Sequence, residues 1–84
     1  MRHYAVFYRL EHNADGTPTY VDPGGRMLAQ RLSNGLSLET MKSHGAAMCR
    51  SRSCDGFRIG RIRPNANLED MFFLTAAVIP VSKA

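Results

Sequence analysis

Residues 37–52 constrain the fold most. Ser37 stands where it can cap a helix N-terminus, with Leu36 and Met41 at staple spacing around it. Glu39 falls in the first turn, where a carboxylate favours the helix dipole. Leu38, Met41, Gly45, Met48 and Cys49 recur at three-and-four spacing and define one apolar stripe. Arg50 and Arg52 occupy the last turn, and Asp55-Gly56 offers the stop. Gly45 costs about 1 kcal/mol relative to alanine unless another backbone packs closely there. A helix with one apolar stripe must bury it against another layer.

The flanking segments supply that layer as strands. Residues 3–10 are aromatic and β-branched, with Tyr4, Val6 and Tyr8 on one face and Ala5, Phe7 and Arg9 on the other. Asn13-Ala14-Asp15-Gly16 is a turn. Thr17 to Val21 returns as a short strand, which Pro18 confines to an edge. After the turn Asp22-Pro23-Gly24-Gly25, residues 26–32 favour helix by propensity, with a third strand as the alternative.

Residues 57–63 read as a strand whose alternation slips, because Phe57 and Ile59 share a face that Ile62 leaves. A bulge at Gly60-Arg61 would bring all three inward and leave Arg58, Arg61 and Arg63 outward. Pro64 to Asn67 is a turn. Asn67 then caps a short helical turn over 67–70, followed by a strand over about 71–81 that pairs with 57–63; a helix over 68–77 is the rival. The fold class is therefore α+β: a small antiparallel sheet of about four strands, with the helix on one face and the other face more exposed. At 84 residues this is one domain. Its composition, 44% hydrophobic and 21% charged, is that of a globular chain rather than a disordered one.

Charge is concentrated. Arg50, Arg52, Arg58, Arg61 and Arg63 fall in a stretch whose only acid is Asp55. That stretch carries the chain's entire net charge of +4, and the remainder balances. Guanidinium presents a planar fork of donors that matches phosphate and carboxylate. The helical pair can also serve the helix dipole, and the strand arginines can blunt a sheet edge. Arg58, Arg61 and Arg63 are the stronger binding candidates, since the dipole does not account for them. Tyr4, Tyr8 and Tyr20 are candidate stacking rings, although core packing is the commoner use of such residues.

No catalytic pattern emerges. His44, Cys49 and Cys54 are spaced by five and five, without the short cysteine pair typical of zinc sites. On a helix, His44 and Cys49 lie about 140° apart. Cys49 suits the core, and Cys54, although flanked by arginines, has no base or oxyanion site beside it in sequence. A disulfide between them requires Cys54 to have left the helix. Glu69-Asp70 is dipole complement, Gly24-Gly25 lacks the rest of a phosphate loop, and the serines lie in no nucleophile elbow.

The expectation is a non-enzymatic binding module without cofactor or metal, whose arginines engage an anionic macromolecule, most generically nucleic acid. An inhibitor or adaptor docking on an acidic protein surface is the alternative, and a homodimer formed through the 72–81 strand is a third option. In size, arginine-rich composition and lack of a catalytic motif the chain resembles the short single-domain proteins carried by phages and other mobile elements. Under that resemblance the alternative takes the form of an anti-defence protein. No apolar run approaches membrane-spanning length, no signal peptide is evident, and two cysteines are few for a small secreted domain, so a cytoplasmic location is expected.

Overall fold

A computed structural model describes residues 1–23 and 28–82. Its organising element is β1, Arg2–His12. The centre of this strand, Ala5-Val6-Phe7, is fully buried on both faces. Three further strands pair with it, all antiparallel. β2 (Pro18–Val21) pairs with Arg9 to His12, and β3 (Leu28–Leu32) pairs with His3 to Phe7. β4 (Gly56–Ile62) pairs with Arg2 to Tyr8. Two short strands, β5 (Phe72–Phe73) and β6 (Ile79–Pro80), complete a curled six-stranded sheet by pairing with β4. The helix α1 (Leu38–Ser51) packs on one face.

The first hairpin forms as its residues dictate. Gly16 takes a positive φ of 86°, and the Asn13 N–H donates to the Thr17 carbonyl at 2.8 Å. β3 corrects the helical preference of residues 26–32. Residues 26 and 27 lie outside the described residues, and 28–32 are strand. Helix propensity over so few residues is weak, since short helices are marginal on their own. An open edge of β1 offers a five-residue ladder and a buried place for Leu32.

α1 forms as its caps and stripe require. The Ser37 Oγ accepts from the Thr40 N–H at 3.2 Å, and Met41, Gly45 and Cys49 are buried. Met41 and Cys49 join Ala5, Phe7, Leu32, Phe57 and Ile59 in one core. Leu38, at the start of the stripe, is instead exposed. The helix also stops at Ser51, with three residues between it and Asp55-Gly56. Ser53 takes a left-handed φ of 55°, its N–H donates to the Arg50 carbonyl, and the Cys54 N–H donates to the Cys49 carbonyl at 3.0 Å. This is a Schellman ending with serine where glycine is usual. Gly56 instead opens β4.

β4 shows no bulge. Its register against β1 is unbroken from Arg2 opposite Ile62 to Tyr8 opposite Gly56. Phe57 and Ile59 face α1, Arg61 follows them on that face, and Arg58, Gly60 and Ile62 take the other. A bulge would be needed only if one face alone were apolar. In fact both are covered near the centre: Val6 and Ile62 are buried on the second face, and Met71 sits where a Cβ on Gly60 would lie. The second face is therefore less exposed than expected.

The C-terminal segment is likewise not one strand. A 3-10 turn covers Leu68–Asp70, as the sequence predicts. β5 and β6 follow, but their pairings on β4 are three residues out of register, with a bend between them.

Gly45 meets a side chain rather than a backbone. A Cβ placed there would lie 2.7 Å from two ring atoms of Phe57, itself 1% exposed. Gly45→Ala should therefore destabilise the fold by about 1–2 kcal/mol, because overpacking outweighs the gain in helix propensity. Urea denaturation measures it; a variant more stable than the parent would show that the ring can turn aside.

Candidate anion-binding cleft

The fold disperses the arginine cluster. Arg50 is exposed in the last turn of α1. Arg52 caps the helix end: its guanidinium donates to Gln30 Oε1 at 2.9 Å and to the Met48 carbonyl at 3.3 Å, and lies 4.9 Å from the Phe7 ring centroid. It thereby ties α1 to β3. Arg58 points to the opposite face of the sheet. Its Nε and Nη2 both donate to the Thr75 carbonyl, at 3.3 and 3.0 Å, and its guanidinium lies 3.7 Å from the Phe73 ring centroid. The Thr75 hydroxyl accepts the Ile59 N–H at 3.2 Å. Arg58 and Thr75 together close the gap that the bend between β5 and β6 leaves in the ladder. The acid of the segment, Asp55, is similarly engaged, accepting the Leu10 N–H at 2.7 Å on its carboxylate. Arg58, Arg61 and Arg63 thus do not form one outward row, because the unbroken register sends Arg58 and Arg61 to opposite faces.

Arg61 and Arg63 come together at the far end of β4, about 16 Å along the strand from its start near the helix terminus. Arg61 stands in the ladder between His3 on β1 and Phe72 on β5, all three on one face. Its guanidinium lies 5.1 Å from the Phe72 ring centroid, within cation–π range. Its Nε is buried with no hydrogen-bond partner among the described residues. A desolvated guanidinium N–H without an acceptor is costly and calls for one. Arg63 follows the end of β4. The chain then turns back through Pro64 to Asn67, with Asn65 at a φ of 67° and the Ala66 N–H donating to the Arg63 carbonyl at 3.1 Å. This return and the 3-10 turn enclose a cleft of about 510 Å³ lined by Met1, Arg61, Arg63, Ala66, Asp70 and Phe72. Two guanidiniums face one carboxylate there, and arginine stays charged at any ordinary pH. Phe72 presents its ring to solvent at 61% exposure.

Sequence reasoning missed Phe72 and Asp70. Tyr4, Tyr8 and Tyr20 were the candidate stacking rings, and all three are half-buried. Phe72 reads as an ordinary strand residue in a run of apolar neighbours; only the register of β5 on β4 places it beside Arg61. The remaining chemistry does not converge. His44 is exposed on α1, Cys49 and Cys54 are buried with no disulfide between them, and the Cys49 thiol donates to the Gly56 carbonyl at 3.4 Å. Among the described residues no three His, Cys, Asp or Glu side chains cluster as metal ligands, and no helix is long and apolar enough to cross a membrane.

Comparison of the chain with protein-family models, curated proteins and solved structures yields no match.

The two kinds of arginine separate by experiment. Arg58→Met strands the buried Thr75 carbonyl and should cost about 2 kcal/mol, lowering Tm by roughly 10 °C. Arg61→Met removes a desolvated Nε donor that has no hydrogen-bond partner among the described residues and should leave Tm unchanged or higher. Equal losses of Tm in both variants would mean that Arg61 is structural as well.

Proposed function

We propose that the protein is a non-enzymatic binding module that engages an anionic macromolecule, with nucleic acid the partner its chemistry fits best. The observation that carries this reading is Arg61: a guanidinium set against an exposed ring and beside Arg63 in an open cleft, its Nε without a hydrogen-bond acceptor among the described residues. Where Arg61 and Arg63 line the cleft, a planar guanidinium fork can bind phosphate in two-point fashion. Arg52 and Arg58 contribute less, since their donors are already engaged within the fold. Arg50 adds long-range attraction from the helix end, which salt screens beyond about 10 Å. Asp70 limits the cleft's charge, so affinity rests on a few close contacts rather than on a broad basic field.

Salt dependence tests the reading. The protein should bind 12-nucleotide DNA or RNA at low ionic strength, with affinity falling as salt rises. Arg61→Gln combined with Arg63→Gln should weaken binding and flatten the plot of log K against log salt by about 1.4, the release expected for two phosphates on a single strand. Arg50→Gln should change affinity far less. Absence of binding to either polymer at low salt would sink the proposal. Capture of one protein partner after nuclease treatment, lost in the same double variant, would transfer the cleft to an acidic protein surface.

A further inference from the structure

Resting on that reading of the cleft as an anion site, we infer that its ligand is single-stranded nucleic acid, held with one base stacked on Phe72 and the adjoining phosphate on Arg61 and Arg63. Three observations point to this. First, Phe72 is the most exposed large apolar residue among the described residues, at 61%. It sits on a two-residue strand whose outer edge lies open at the end of the sheet order. An aromatic in such a place gains nothing for the core, whereas Phe57 and Phe7 are almost wholly buried. Second, the Arg61 guanidinium 5.1 Å from the ring centroid leaves the ring's surface only partly covered. Base, ring and guanidinium can then share one stack, which every base tolerates because each has a π-face.

Third, the cleft's size and the elements that build it favour a single strand over a duplex. About 510 Å³ lies within the range of small-ligand pockets and suits one nucleotide. A duplex keeps its bases paired and stacked and can offer the cleft only its backbone, leaving Phe72 unused. Readout of a duplex also requires an element that fits a groove. Among the described residues the one long helix, α1, buries the stripe of Met41, Gly45 and Cys49 on the sheet, and the cleft is built from strand ends and turns instead. The row of His3, Arg61 and Phe72 across β1, β4 and β5 gives the strand a direction to follow over the sheet end. Affinity therefore divides into a salt-sensitive part from the two arginines and a salt-insensitive part from the ring.

The chain contains no tryptophan, so Phe72→Trp places its only indole in the cleft. With this variant, a 12-nucleotide single strand should quench the indole emission, while the matching duplex and inorganic polyphosphate should not. In parallel, Phe72→Ala should weaken single-strand binding by roughly 5- to 150-fold, the range for loss of one base–aromatic stack. It should leave polyphosphate and duplex binding within about twofold, and Tm within a few degrees of the parent. If duplex and polyphosphate bind as tightly as the single strand, and Phe72→Ala changes none of them, the anion site stands and the single-strand inference falls. If no polymer binds the parent protein at low salt, the anion reading itself falls and takes the inference with it.

Discussion

The structure depends on β1 being buried from both sides. Ala5, Val6 and Phe7 are wholly removed from solvent, so both faces of the strand must be covered and both edges paired. α1 supplies one cover through Met41, Gly45 and Cys49, and the C-terminal segment brings Met71 to the other. For a chain of 84 residues, which buries only about two thirds of its unfolded surface, two thin apolar layers around one strand are an effective use of few large side chains. The same demand keeps β4 regular. A bulge at Gly60-Arg61 would repair one face but break the otherwise continuous pairing of β4 with β1 at that point.

What could be read in the chain beforehand follows the range of the forces involved. Ser37, the apolar stripe and the first hairpin are set by residues close to one another, and each is found within a residue or two of its expected place. Where the decisive partner lies far off in sequence, local reading goes astray. Residues 28–32 are strand because β1 has an edge to fill. The left-handed residue after the helix is Ser53 rather than a glycine, and the chain then turns Cys54 into the core. The 71–81 segment is broken because Arg58 and Thr75 complete the ladder with side-chain groups. The candidate cleft suffers most from this limit: the arginines are visible as a charge cluster, but Phe72 and Asp70 become their neighbours only through the fold.

A run of like residues need not mean a shared task. Arg52 closes a helix end against β3, Arg58 mends a sheet, and Arg61 with Arg63 lines an open cleft. Alternation along a strand makes this division inevitable, because adjacent residues are sent to opposite faces and a few positions span the width of a small domain. Charge density along a sequence thus overstates charge density in space.

The cleft's wall differs from its floor in a way that bears on motion. Residues 63–70 are all exposed, and the backbone hydrogen bonds around their turns, from Ala66 to Arg63, Asp70 to Asn67 and Met71 to Leu68, reach only three residues back. The floor, by contrast, is an end of the central ladder. Because these residues are exposed and tied by short-range hydrogen bonds, local opening of the wall uncovers little buried surface, and its free energy falls at the low end of the range that native-state hydrogen exchange spans. The amides of this segment would then trade protons with water long before those of Ala5 or Ile59. An occupant of the cleft would meet one firm side and one yielding side, and part of its affinity would be spent in quieting the latter.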